Sequence, residues 1–258
     1  LDGLKRHLKV KTLTPRGVQP QGIKVDALAS EIDQELLDLG DHVGDEPHKV
    51  LGNRLLIRAQ LPSDPIWLTQ THSTMVSTPI SRQQKNGEVS IHADASVTNL
   101  PNEVLAIMTA DCLPILIASA DGSVIGAAHA GWRGLCAGVI ENTVAEMLML
   151  SPHLKAADLM VWMGPAIGPE SFEVGVDVVE AFQCTHPAEQ ATAFVAIQDK
   201  PGKYLADIYL LARTRLEMLG VNSISGGDRC TVKENQEFFS YRRDGKTGRF
   251  ATFIWISK

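Results

Sequence analysis

Cys112 and His129 are the pair of residues whose types and spacing could do chemistry together. Pro114 to Ala120 and Ser123 to Ala128 are apolar runs separated by Asp121-Gly122, a strong short-range hairpin signal. Taking Asp121 and Gly122 as the turn pairs Ala120 with Ser123. The same register sets Cys112 opposite Gly131 and makes His129 its diagonal neighbour on one face. Diagonal neighbours stand about 7–8 Å apart at Cα. One ion with bonds of about 2.0–2.3 Å to nitrogen and sulfur bridges that gap. Pro114 lacks an N–H and is expected to interrupt the ladder near Cys112.

A thiolate beside an imidazole is either a metal pair or a nucleophile with its base. A third ligand selects the metal. His72 is the candidate, because it follows the strand expected at Ile66–Gln70, and active groups gather at strand ends. Two His and one Cys leave one coordination position open, the pattern of a catalytic zinc rather than a structural one. Soft thiolate with imidazole suits zinc, with copper as the other choice. The plain alternative is that a Cys in an apolar run is a small buried hydrophobe and that a His after a strand is an ordinary surface or core residue. Spacing alone leaves these alternatives open.

The elements that must position these residues follow from patterning. The chain has 258 residues, of which 44% are hydrophobic and 5% aromatic, so an aliphatic core is expected in one large domain. Strands are expected at Val104–Met108, Leu159–Met163, Ser223–Ser225 and Ala251–Ile256. Helices are expected near Glu31–Leu39, at Val50–Arg58, at Leu135–Leu150, at Gly175–Phe182 and at Tyr204–Leu219. Asp41 to Asp45 and Gly164 to Pro169 read as loops. The alternation predicts α/β (α+β): a single-domain layered mixed sheet with flanking helices.

Composition excludes several partner classes. The formal net charge of −6 argues against nucleic-acid binding, which needs a basic face. No apolar run reaches the roughly 18 residues that span a bilayer, and Leu1 to Val10 has no apolar core of a signal peptide. Four cysteines without framework spacing argue for a reducing, cytoplasmic setting and no disulfides. A monomer acting on a small molecule is the expectation.

Ala110-Asp111-Cys112-Leu113-Pro114 followed by His129-Ala130-Gly131-Trp132-Arg133-Gly134 resembles the YfiH family. That family is named variously as multicopper polyphenol oxidase (laccase-like), purine nucleoside phosphorylase and peptidoglycan editing factor. Further blocks carry the likeness: Trp67-Leu68-Thr69-Gln70-Thr71-His72, Ala93-Asp94-Ala95, the Gly164–Pro169 loop, Gly227-Asp228-Arg229-Cys230-Thr231, Phe239-Ser240-Tyr241-Arg242-Arg243 and Thr247-Gly248-Arg249. The resemblance covers roughly residues 40 to 258. It divides the chain into a diverged segment, 1–40, and a zinc enzyme domain, 41–258, within one domain overall. It implies zinc on His72, Cys112 and His129, and phosphorolysis of adenosine, inosine and methylthioadenosine with adenosine deamination. Phenol oxidation with copper and hydrolysis of a UDP-MurNAc-amino acid precursor are the other family activities. The segments Thr14–Gln19 and Glu35–Gly40 depart from the family pattern.

Phosphorolysis needs an anion site. Arg133, Arg54 and Arg242 are the candidates, since a guanidinium fork suits oxyanions; the alternative for each is a structural ion pair. Asp111 adjoins a ligand and is read as an orienting group or general base, or else a turn cap; Asp94 is read the same way. His42 is a candidate pocket residue. Gly131 and Gly134 suggest close backbone approach. Cys136, Cys184 and Cys230 are read as structural. Competing readings are a metal-free cysteine hydrolase with Cys112 as nucleophile and His129 as base, and a binding module with structural zinc.

Overall fold

Apolar runs that are buried on both faces must be covered on both faces, and here they form two stacked sheets. The computed structural model describes residues 9–12, 24–31, 39, 47–84, 91–184 and 191–257. With strands numbered in chain order, one sheet runs β1 (Lys9–Thr12), β2 (Lys24–Glu31), β16 (Phe250–Ser257), β8 (Val104–Thr109) and β3 (Pro65–Ile66). The other runs β15 (Ser223–Gly226), β11 (Leu159–Met163), β9 (Leu113–Ser119), β10 (Ile125–Ala130), β7 (Ala95–Thr98) and β5 (Val76–Ser77). Two small sheets complete the set: β12 (Glu173–Gly175), β14 (Lys203–Ala206) and β13 (Phe194–Ala196); and β4 (Leu68–Thr69) with β6 (Ile91–His92). Parallel and antiparallel pairs coexist in both main sheets.

Side-chain alternation divides the core into layers. Leu116, Ala118, Ile125 and Ala127 meet Leu105, Ile107, Ile254 and Ile256 in the seam between the sheets. On the outer face of the six-stranded sheet, Ile115, Ile117 and Ala128 pack under three helices: α4 (Val139–Leu150), α5 (Val176–Gln183) and α6 (Ile208–Met218). The outer face of the other sheet buries Ala106, Met108 and Phe253 with Ile57 of α1 (Pro47–Arg58). The order is helix, sheet, sheet, helices: the expected layered, mixed α/β architecture. Short helices α2 (Pro79–Gln84), α3 (Trp132–Ala137) and α7 (Tyr241–Asp244) lie in the connections.

The hairpin keeps its expected register, with Ala130 opposite Leu113 and His129 opposite Pro114. Its loop is longer than two residues. Ser119 still bonds Val124, Gly122 donates to the Ser119 carbonyl, and β10 begins only at Ile125 rather than Ser123. Asp121 causes this, because its carboxylate accepts from the Ser119 and Ser123 hydroxyls and the Ser123 amide. Pro114 does not break the ladder. His129 directs its N–H to Asp94 on the other side, so the position opposite Pro114 needs no donor, and the Pro114 carbonyl accepts from Gly164.

Two helix expectations change. Leu135–Leu150 is not continuous: Gly138 takes a left-handed φ of +103°, ending α3 and starting α4. In Tyr204–Leu219 the first residues are strand β14, and Asp207 starts the helix at Ile208 by accepting from the Leu210 amide. The helix expected near Glu31–Leu39 and the Asp41–Asp45 loop lie outside the described residues. No helix among the described residues is long and apolar enough to cross a membrane.

Candidate metal centre

Asp94 precedes β7 and Cys112 precedes β9, and the β7–β10–β9 registers place them on either side of His129 near the end of β10, with the His129 amide donating to the Asp94 carbonyl. Cys112 stands just before β9, at the corner where the chain passes from β8 of one sheet to β9 of the other. His72 arrives from the connection after β4. The ligand atoms of His72, Cys112 and His129 lie within 4.8 Å of one another, and among the described residues they form the one such group of three or more. The Cys112 Sγ is 3.6 Å from the His72 Nε2, and the two imidazole rings meet edge to face at 4.8 Å between centroids.

Asp94 fixes this arrangement from behind. It is fully buried and accepts from the Thr71, His72 and Ser73 amides at 2.7–3.1 Å and from the Ser73 hydroxyl at 2.7 Å. Three successive amides around one carboxylate make an anion nest. They hold His72 at φ +61°, where β-carbon-bearing residues are uncommon. The same carboxylate bonds the His129 Nδ1 at 2.8 Å, which orients the ring and leaves its Nε2 toward Cys112. Burial alone would raise the pKa of Asp94, but His129 and Ser73 hold it well below the usual carboxylate range.

Burial would also raise the Cys112 thiol, yet His129 and then His72 draw it down to about 6. His129 opposes its own burial through Cys112 and Asp94 and is raised to about 9. The site therefore favours a thiolate, the form that ligates metals. Gly131 makes room for it: a Cβ there would lie 2.5 Å from the His72 ring and 3.0 Å from the Cys112 sulfur. Soft sulfur with two imidazoles, a carboxylate behind one ring and a cavity in front fit a metal ion that His72, Cys112 and His129 would hold.

That cavity has a volume of about 420 Å³, within the range of small-molecule sites. Its wall combines apolar groups (Met108, Trp132 and Phe172) with Arg133, Arg242 and Arg249.

Comparison with known proteins identifies the lineage. Residues 27–257 match the family model described as multi-copper polyphenol oxidoreductase laccase. An Escherichia coli K12 protein named purine nucleoside phosphorylase YfiH is 47% identical over 95% of this chain and 99% of its own. The chain belongs to the YfiH family. A Pseudomonas aeruginosa family member, also named a purine nucleoside phosphorylase, is 45% identical over 85% of this chain and 86% of its own. Among solved structures, a Neisseria meningitidis protein superposes with a TM-score of 0.83 at 42% identity, covering 96% of this chain and 99% of that one. YlmD from Geobacillus stearothermophilus gives 0.80 at 28% identity, covering 93% of each. The YfiH relatives are named as enzymes, and the chain shares their fold.

Within this YfiH fold the expected site residues separate. His72, Cys112, His129, Asp111, Arg133 and Arg242 all line the cavity. Arg54 is not among its lining residues: the guanidinium donates to the Leu39 carbonyl at 2.8 and 3.1 Å and lies over the Trp67 ring. His42 lies outside the described residues. Asp111 has its carboxylate engaged by Thr231 and the Arg242 amide. Gln70, Phe172 and Arg249 line the cavity without having been singled out by role. Gln70 pairs with the Met108 backbone in both directions, extending a strand-like edge to the site. The motifs containing Gln70 and Arg249 were visible in the sequence. Their place at the cavity was not, because it depends on which loops the sheets bring together.

Proposed function

We propose that this chain is a zinc-dependent purine nucleoside phosphorylase acting on adenosine, inosine and methylthioadenosine, with adenosine deamination at the same site. The observation that carries this reading is the convergence of His72, Cys112 and His129 on one face of a cavity that also bears arginines. The names of the relatives support the reaction class. Bound zinc would supply Lewis-acid polarisation to the substrate in front of it.

The protein's own groups divide the remaining work. His72, Cys112 and His129 hold the ion, and Asp94 fixes the tautomer and angle of His129. In phosphorolysis a phosphate oxygen bonds C1′ of the ribose while the C1′–N9 bond breaks and the purine leaves with the electron pair, taking up a proton. Arg133 and Arg242 hold the phosphate dianion by forked hydrogen bonds. Arg133 is exposed at the rim and, among the described residues, enters no ion pair, so it is available to an anion. Trp132 and Phe172 offer flat apolar surface to a purine and exclude water from the reacting bond. None of the four cysteines is paired in a disulfide, which suits a reducing, cytoplasmic setting.

The test incubates zinc-loaded protein with adenosine and phosphate, read by mass spectrometry beside Cys112→Ala. Adenine with ribose 1-phosphate, absent in the variant, is the expected result. Inosine alone assigns the site to deamination. If neither product forms, the reading fails, and the cell-wall precursor and phenol substrates take its place. Inactivation by iodoacetamide but not by a chelator would instead make Cys112 a metal-free nucleophile.

A further inference from the structure

Asp111 precedes Cys112 with a backbone φ of +93°, a left-handed conformation that Asp and Asn adopt more readily than other side-chain-bearing residues. It is buried, it lines the cavity, and three separate segments meet on it. Its carbonyl accepts from the Ile167 amide at 2.9 Å. Its Oδ1 accepts from the Thr231 hydroxyl and its Oδ2 from the Arg242 amide, each at 2.6 Å. Arg242 belongs to α7, a helix of four residues, too short to hold its own position. The Arg242 guanidinium in turn donates to the Ser171 and Glu173 carbonyls at 3.2 and 3.0 Å.

We propose that Asp111 is a positioning residue: it ties the Arg242 segment to the corner that carries Cys112, so that the Arg242 guanidinium meets an inorganic phosphate bound beside the three convergent side chains. The proposal rests on the phosphorolytic reading of the site. Asp111 acts through Arg242 and takes no proton from the substrate. Both oxygens of its carboxylate are committed to groups that belong to the protein, and the strained backbone that presents them is held by the same three contacts.

The experiment measures phosphate binding to the zinc-loaded protein by calorimetry, with steady-state KM for phosphate and for inosine, in Asp111→Gly, Asp111→Asn and Thr231→Val. Glycine adopts the positive φ freely but removes the tether. Asparagine also tolerates it, and its amide can accept from the Arg242 N–H while donating to the Thr231 oxygen. D111G is expected to weaken phosphate binding and raise its KM by about tenfold or more, the loss of one charge-assisted contact. The KM for inosine should move less than about twofold, because the ribose and purine are held elsewhere in the cavity. D111N should return phosphate affinity to within about threefold of the wild type, with T231V between the two. Zinc content should stay unchanged throughout. Turnover lost equally in D111N and D111G, with a displaced acid limb in the pH profile, would make Asp111 a general base and overturn the proposal. Unchanged phosphate affinity in D111G, or a wild type that binds no phosphate, would overturn it too. A wild type that binds phosphate in an Asp111-dependent way but cleaves no nucleoside leaves the tether standing and removes the phosphorylase reading instead.

Discussion

Gly131 decides how closely His72 can approach Cys112. Its φ of −64° is ordinary, so the requirement for glycine is one of space and not of conformation. In Gly131→Ala the new methyl group meets the His72 ring at 2.5 Å, and the ring or its loop must retreat. Zinc affinity is expected to fall by about tenfold or more, the scale of effect seen when the surroundings of ligands are disturbed. Far-UV circular dichroism should be unchanged; competition with a chromogenic chelator measures the affinity, and an unaltered value would show that the His72 loop yields freely. Asp94 calls for a different substitution. Asp94→Asn turns an –NH2 toward donors that a carboxylate accepts, and the group is fully buried. A loss of about 2–3 kcal/mol follows from a buried charge-assisted network left partly unpaired, which lowers Tm by about 5–10 °C in a chain of this size. A Tm within a degree or so of the wild type would mean that the network reorganises at no cost. The two histidines and the cysteine were legible in the sequence through the hairpin register and the motifs around them. The place of Asp94 beside His129 was not, because Ala95-Ser96-Val97-Thr98 has too little apolar pattern to announce strand β7.

At the scale of elements, the hairpin register was readable because an Asp-Gly between two apolar runs allows few pairings. The loop within it was misjudged because the Asp121 side chain makes its own turn, bonding Ser119 and Ser123. The break at Gly138 escaped for a related reason. Apolar residues continue at helical spacing on both sides of it, and periodicity does not register one left-handed residue. Asp121 gives a pH prediction away from the candidate metal centre. Its modest burial would raise its pKa slightly, but His153 and the serines hold it below the usual range. A depressed native value stabilises the fold above the unfolded pKa of about 3.9, and that contribution is lost as pH falls through the native value. Asp121→Ala should therefore be less stable than wild type at neutral pH by about 0.5–1 kcal/mol, the low figure reflecting an exposed turn. The gap should close on acidification below about pH 4. Urea unfolding at neutral and acid pH measures it, and a difference that persists unchanged into acid would refute the carboxylate's role.

At the scale of the whole molecule, the three convergent side chains come from different parts of the two-sheet stack. His72 follows the small β4 strand, Cys112 stands at the crossing from β8 to β9, and His129 is the next-to-last residue of β10. The layered α/β class was legible because buried runs alternate with helical stripes. The division into two main sheets was not, because a strand's apolar pattern is silent about which neighbour it pairs with. The geometry makes an ion held by these residues a clasp at the mouth of the seam, acting on the loops there and not on the seam's interior. The interior is aliphatic: Leu105, Ile107, Ile125 and Ile254 are packed with relative exposures of 2% or less. Zinc at about a thousand times its dissociation constant should stabilise the native state by about 4 kcal/mol. The distribution of that gain is the sharper expectation. Hydrogen exchange of the chelator-treated protein should accelerate at residues 71–73, 110–112 and 130–133, while the amides of β8 and β16 exchange as before, since their opening is limited by packing that the ion does not touch. Acceleration spread evenly over both sheets would mean that the ion holds the fold together globally and would cast it as a structural centre. Acceleration confined to the three loops is what a catalytic centre mounted on an already stable stack requires.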